Sequence, residues 1–276
     1  GCPFKCVYCL LPQTFNGRGY RFRSPENFVD ELEYIKEEFP QVKEVFVEDD
    51  TITANRERCR RISDLILERN LEITWSANSR ADLDLQTMKK MKAAGCRLFC
   101  VGIESGTQEI LDNIHKGTKI ERIRRFMRDV KEAGMLVHGC FMLGCPGETK
   151  ETIAKTIEFA KELNPDTAQF FPIMVYPGTE AYEWAKENNY LLTEDYSKWL
   201  TPEGVHNTLI SRPGLSNKEL VELCDEARRR FYLRPNYILS KLKQMIVHPR
   251  ESKRILKSSK TFFKYLYRGS FSKKSW

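Results

Sequence analysis

The sequence predicts an α/β protein built on a parallel sheet, followed by a helical, basic extension. Three observations carry this. Between residues 24 and 190, short apolar runs alternate with amphipathic stretches. The runs are apolar throughout and do not alternate every second residue, so each strand is covered on both faces, the pattern of parallel strands. Each strand leads to the next through a helix, and right-handed crossovers of that kind wind a sheet into a barrel or part-barrel.

Each element has a local reason. Ser24-Pro25-Glu26 starts a helix with a Ser cap, a Pro in the first turn and an acid against the dipole. Phe28, Leu32, Ile35 and Phe39 then fall on one helical face. Val42–Val47 reads as a strand, Asn55–Arg69 as a basic helix and Ile73–Ala77 as a strand. Asp84–Ala94 is helical up to Gly95, and Leu98–Ile103 is the next strand. Ile120–Ala133 is helical up to Gly134. Val137–Leu143 is a strand, Thr149–Leu163 a helix, Thr167–Val175 a strand and Glu180–Asn188 a helix. Residues 189–225 hold few strong signals and read as an irregular connection punctuated by Pro202, Gly204, Pro213 and Gly214. Helix resumes from Lys218, with breaks at Pro235 and Pro249. The expected division is a core of residues 1–190 and an extension of residues 191–276.

The chain has 276 residues, enough to bury a sizeable core without staples. No apolar run approaches ~18 residues, which excludes a membrane-spanning helix. No signal peptide precedes Gly1, and the chain reads as a piece whose natural start lies upstream. The net charge of +7 is unevenly placed. Residues 226–276 hold 15 Lys and Arg against 2 acids, whereas residues 1–225 hold 30 basic and 36 acidic residues. Such a tail points to an anionic partner. The nine cysteines are an odd number in a long chain. A reducing, cytoplasmic setting fits better than a disulfide scaffold, and clustered thiols there bind metal.

In parallel α/β folds, ligands gather beyond the C-terminal ends of the strands. Those ends here are Glu48-Asp49-Asp50, Ser76-Ala77-Asn78, Glu104-Ser105-Gly106, Gly144-Cys145-Pro146-Gly147 and Tyr176-Pro177-Gly178. Cys2, Cys6 and Cys9 are spaced C-x3-C-x2-C. Three thiolates so close together can hold three corners of a [4Fe–4S] cubane, a cluster that usually has four Cys ligands, and so leave one iron open to a small molecule. The rival is zinc, which would want a fourth Cys or His nearby. The other six cysteines read as small core residues, with Cys145 a candidate to line the site.

The C-x3-C-x2-C loop with Tyr8 before the third Cys resembles the signature of radical S-adenosylmethionine (SAM) enzymes, and the likeness in element order extends over residues 1–190. It implies a partial (β/α)6 TIM-like barrel, here lacking its first strand. It implies that Cys2, Cys6 and Cys9 ligate three irons while SAM chelates the fourth, and that Tyr8 packs near the adenine. Glu48-Asp49-Asp50 stands where many members have Gly-Gly-Glu, so Asp50 aligns with the Glu that holds the SAM ammonium. Ser76, Asn78 and Arg80 follow the next strand, with Arg80 suited to the SAM carboxylate. Glu104 and Ser105 are candidates for the ribose hydroxyls, and Gly144 for a close backbone approach to the adenine. The chemistry implied is reductive cleavage of SAM to methionine and a 5′-deoxyadenosyl radical, with an electron donor such as flavodoxin or ferredoxin.

Val47-Glu48-Asp49-Asp50-Thr51, Val101-Gly102-Ile103-Glu104-Ser105-Gly106 and Leu143-Gly144-Cys145-Pro146-Gly147-Glu148-Thr149 are similar to the branch with an N-terminal cobalamin-binding domain. That branch includes methyltransferases and the anaerobic magnesium-protoporphyrin ester cyclase. Leu11-Pro12-Gln13-Thr14 and Trp75-Ser76-Ala77-Asn78-Ser79-Arg80-Ala81 are similar to its hopanoid-associated members. Cobalamin would then sit in an upstream domain. Asp112-Asn113-Ile114-His115-Lys116-Gly117 has the wrong spacing for it, and His115 reads as a surface residue. The implied function is methyl transfer, cyclisation or rearrangement of a hydrophobic, isoprenoid- or lipid-like substrate. The alternatives are a tRNA methylthiotransferase-like enzyme, a plain iron–sulfur electron-transfer module and a nucleic-acid-binding zinc protein. The helical reading of the tail argues against tRNA. Its nine aromatics among basic residues suit an anionic membrane surface at the inner face, or packing on the barrel.

Overall fold

Helix α1 (Pro25–Glu38) begins where its cap stands: the Ser24 side chain accepts from the Asn27 N–H. The computed structural model describes residues 1–11, 19–200, 207–247, 252–257, 259–260 and 263. Five strands follow, β1 (Val45–Val47), β2 (Trp75–Ser79), β3 (Cys96–Glu104), β4 (Leu136–Leu143) and β5 (Thr167–Pro172). They form one sheet in sequence order, every neighbouring pair parallel. Helices α2 (Arg56–Glu68), α3 (Leu85–Ala93), α5 (Ile120–Glu132) and α6 (Lys150–Leu163) make the crossovers, and a short α4 (Gln108–Asn113) precedes α5. Helices α7 (Glu180–Glu187), α8 (Asn217–Tyr232) and α9 (Pro235–Val247) follow, and the described residues beyond 251 are helical. The expected part-barrel of parallel strands and crossover helices, with a helical extension, is what the chain forms.

Strand bounds moved where apolar pattern and backbone pairing part company. Val42 is exposed and pairing begins at Val45. The second strand slides from Ile73–Ala77 to Trp75–Ser79, and the fifth stops at Pro172 although Ile173 and Val175 are buried. An apolar run reports burial, and a buried loop satisfies it as well as a strand does. Helix α4 escaped notice because six residues with two buried apolar side chains, Ile110 and Leu111, show no helical period.

The two faces of the sheet differ. Phe99, Val101 and Ile103 on β3 are fully buried, and Phe99 packs 6.5 Å from the ring of Phe126 on α5. Alternation puts Cys100 and Gly102 on the opposite face, away from the helices.

The extension finishes the sheet. Phe141 of β4 stacks on Phe170 of β5 at 5.1 Å, and Phe170 lies 6.1 Å from Phe231 of α8. The Tyr232 hydroxyl accepts from the Ala168 N–H at 2.9 Å and donates to the Ala168 carbonyl at 2.7 Å. The Tyr237 hydroxyl donates to the Asp166 carbonyl at 2.7 Å. Among the described residues β5 pairs only with β4, and α8 thus engages backbone groups on its outer edge that would otherwise invite another strand. Helix α8 starts on a reciprocal cap in which Ser216 and Glu219 each bond the other's backbone N–H. Of the expected helix breaks, Pro235 opens α9, and Pro249 lies outside the described residues.

Candidate active site

The cysteine loop lies at the C-terminal rim because two backbone groups pin it there. The Val7 N–H donates to the Ile114 carbonyl at 3.2 Å, and the Val7 carbonyl accepts from the Ala181 N–H at 3.0 Å. One partner follows α4 and the other opens α7. Within the loop a turn closes from the Cys9 N–H to the Cys6 carbonyl at 3.1 Å. Cys2, Cys6 and Cys9 are free, half-buried thiols. Burial pushes the Cys9 thiol up, against a backbone hydrogen bond at Leu11 that pulls it down. Among the described residues these sulfurs do not gather within 4.8 Å of one another, as ligands of a single ion do. Three free thiols on one accessible loop are a donor set suited to an iron–sulfur cluster.

Arg80, after β2, is only 6% exposed, so it is no solvated loop charge. Its guanidinium lies 3.6 Å from the centre of the Phe4 ring, a cation–π contact, with Nη1 4.0 Å from Cys6 Sγ. Nη2 donates to the Lys116 carbonyl, and Asp82 stands 3.6 Å from Nε.

Glu104 ends β3 with a positive φ of 69°. Its Oε1 accepts from Lys116 Nζ at 2.8 Å and from the Tyr8 hydroxyl at 3.0 Å, and Lys116 Nζ reaches the same hydroxyl at 3.2 Å. Both charged side chains are under a tenth exposed. Burial, and then the Glu104 carboxylate, hold Tyr8 well above its ordinary value, so it stays a donor. The triad has room only because residue 102 is glycine. A Cβ there would sit 2.3 Å from Glu104 Oε1 and 2.8 Å from Lys116 Nζ.

The acidic strand end is spread out. Glu48 is exposed, Asp50 is partly buried, and Asp49 lies 3.8 Å from Nη1 of the buried Arg58. Asn78 ties this loop down by donating to the Asp49 carbonyl at 3.1 Å. Cys2 Sγ stands 3.8 Å from Thr51 Oγ1 in the same loop. Ser76 is buried within β2.

Two of the predicted residues face elsewhere. Ser105 is wholly buried, with its hydroxyl 3.2 Å from Thr156 of α6 and 3.4 Å from Thr107, so it anchors the loop to a helix. Gly144 has φ +91°, and a Cβ on it would meet Leu220 of α8 at 2.6 Å, so its smallness serves packing there. Cys145 does not line the site. It is fully buried, and burial pushes its thiol up. Cys59, Cys96 and Cys224 are core residues as expected, but Cys100 and Cys140 are half-exposed and stand apart from that reading. His115 is exposed, 3.7 Å from Glu180.

Sequence reasoning missed Lys116 and Arg58. Lys116 stands in the 112–117 segment, whose spacing does not fit cobalamin. Only the φ +51° and +66° residues His115 and Gly117 on either side of it mark a built turn.

A parallel strand–helix part-barrel with thiols at its C-terminal rim is the architecture of a SAM-using barrel, and the comparisons agree. The radical SAM superfamily matches residues 1–160, and the chain belongs to that superfamily. It is 36% identical over 240 residues to an uncharacterized methyltransferase of Pyrococcus horikoshii, covering 87% of this chain and 51% of that protein. It is 25% identical over 241 residues to the anaerobic magnesium-protoporphyrin IX monomethyl ester cyclase of Rubrivivax gelatinosus, covering 86% of this chain and 42% of that one. The chain thus spans about half the length of the curated relatives it matches. In fold it is similar to the radical SAM methyltransferase TsrM from Kitasatospora setae, solved with tryptophan and a SAM analog. The TM-score is 0.67 at 19% identity, over 86% of this chain and 51% of that one. The likeness to the cobalamin-dependent enzyme OxsB has a TM-score of 0.67 at 16% identity, over 100% of this chain and 47% of that one.

Proposed function

We propose that the chain is the barrel of a radical SAM enzyme that cleaves SAM at a [4Fe–4S] cluster held by Cys2, Cys6 and Cys9. The reaction proposed is methyl transfer or cyclisation on a hydrophobic, isoprenoid- or lipid-like substrate. The observation that carries this reading is the pinned loop of three accessible thiols beside the buried Arg80. When bound, such a cluster supplies the electron that breaks a C–S bond of SAM. The chain's own work is positioning. Arg80 sets a buried guanidinium beside Cys6. Glu104, fixed by Lys116 and Tyr8, offers its remaining acceptor capacity to a ribose hydroxyl. Asp50 and the backbone of residues 48–50 are proposed to receive the SAM ammonium. Cobalamin, carried by a domain outside this chain, and a flavodoxin- or ferredoxin-like donor complete the proposal. The substrate class is drawn from the relatives' names, which include the cyclase above and the hopanoid C-3 methylase of Methylococcus capsulatus, 25% identical over 199 residues.

Anaerobic reconstitution tests the reading. Four irons per chain are expected, with an EPR signal that changes on adding SAM and methionine released under reduction. Cys6→Ser should lose most of the iron. A cluster indifferent to SAM would overturn the proposal.

No helix among the described residues is long and apolar enough to cross a membrane. Helix α9 nonetheless exposes Leu239, Leu242 and Ile246 on one face, and it carries Lys241 and Lys243. We propose that this face lies on an anionic membrane surface, where apolar burial and basic charge add. Flotation with phosphatidylserine vesicles should be reduced in L239S/L242S/I246S. Equal flotation of variant and wild type would remove the idea.

A further inference from the structure

Cys100, His138 and Cys140 lie together on the face of the sheet turned away from the helices. Cys100 pairs in register with His138, and Gly102 with Cys140. Residues in register on parallel strands project to the same face, and so do residues two apart on one strand. The three side chains therefore converge, and the two sulfurs and one ring nitrogen of His138 lie within 4.8 Å of one another. All three residues are half-buried, so an ion can reach them.

The spacing decides what they suit. Two sulfurs each 2.3 Å from a tetrahedral zinc ion stand ~3.8 Å apart. Cys100 Sγ and Cys140 Sγ are 3.7 Å apart. Two cysteines meeting only as a thiol pair have no need of a histidine beside them. The histidine is also braced as a ligand would be: Nδ1 lies 2.7 Å from Thr167 Oγ1, on the next strand in register. A metal-bound histidine commonly passes its other ring N–H to such an acceptor, which fixes its orientation. Gln169 Oε1 stands 3.5 Å from Nε2, a long contact that gives way when Nε2 turns its lone pair to an ion.

We propose that Cys100, Cys140 and His138 bind a zinc ion, with Nε2 of His138 as the third ligand and Nδ1–H donating to Thr167. Three protein ligands leave the fourth position open, as in zinc sites that take water or a substrate donor atom. Thiolate and imidazole donors select zinc over magnesium or calcium. The site is distinct from the cysteine loop and does not depend on the function proposed for that loop.

The test uses the full chain purified anaerobically and measures zinc and iron per chain. C2S/C6S/C9S removes the thiols of the loop, so zinc taken up by that variant reports on the sheet site. One zinc per chain is expected in wild type and in C2S/C6S/C9S, and background zinc in C100S/C140S with its reconstituted iron retained. Cobalt(II) added to C2S/C6S/C9S should give the visible bands of a tetrahedral thiolate site. Thr167→Val, which keeps all three ligands, should weaken zinc binding by ~10–100-fold in a chelator competition. Zinc absent from C2S/C6S/C9S, zinc retained by C100S/C140S, or a Cys100–Cys140 disulfide found by mass spectrometry would each overturn the proposal. Should C100S/C140S fail to fold, unaltered zinc affinity in Thr167→Val together with no tetrahedral cobalt spectrum would do so as well.

Discussion

Glu148 turns an unusual burial into a pH dependence that a single substitution should remove. The residue is 1% exposed, and Oε2 accepts from the Gly144 and Cys145 backbone N–H groups. Oε1 has no hydrogen-bond partner among the described residues. The nearby Arg212 donates to the Glu148 backbone carbonyl, not to the carboxylate. Burial therefore wins over the two N–H groups and Arg212, and raises the carboxyl from 4.5 to about 7. The folded protein keeps this proton at pH values where the unfolded chain has released it. Stability from this group is fully present below pH 4.5 and is lost as pH rises through about 7. At about 1.4 kcal/mol for each pH unit between those two values, the loss is on the order of 3 kcal/mol. Glu148→Gln keeps the acceptor oxygen for both N–H groups and abolishes the titration. Urea unfolding of the two proteins should be followed from pH 4.5 to pH 8. The variant's stability relative to wild type should climb by about 3 kcal/mol across that window. A constant difference at every pH would refute the reasoning.

Two further outcomes follow from burial elsewhere. Lys116→Met strands the Glu104 carboxylate and should cost ~3–5 kcal/mol in urea unfolding, with Glu104→Gln in the same chain recovering much of it. Strict additivity of the two changes would deny the pair. Phe231→Ala opens a hole between α8 and β5 and should cost ~3–5 kcal/mol in thermal unfolding while leaving reconstituted iron unchanged. A cost below ~1 kcal/mol would mean that α8 is not part of the core.

Much of the fold was legible because it rests on local chemistry. The caps at Ser24, Thr149 and Ser216 begin helices within a residue or two of where composition put them. The five parallel strands follow from apolar runs separated by helix-length stretches. Cys2, Cys6 and Cys9 stand out because their spacing within eight residues is itself the signal. Short elements were less visible. β1 is three residues long, and nothing in Val42–Val47 says which three pair with β2.

What the sequence could not disclose are contacts between residues far apart in the chain. Lys116 is an ordinary lysine until β3 brings Glu104 to it and the cysteine loop brings Tyr8 over both. Ser105 and Ser76 have the same chemistry in the sequence, yet the way β3 enters its loop turns Ser105 towards Thr156 of α6. Cys100 and Cys140, 40 residues apart, read as core cysteines until strand register sets them side by side with His138. Local hydrogen bonding and apolar periodicity are written in neighbouring residues, so the chain alone determined its elements and its thiol loop. Register, and the partners that burial forces on a charge, arise only when distant segments meet, and these the tertiary structure decided.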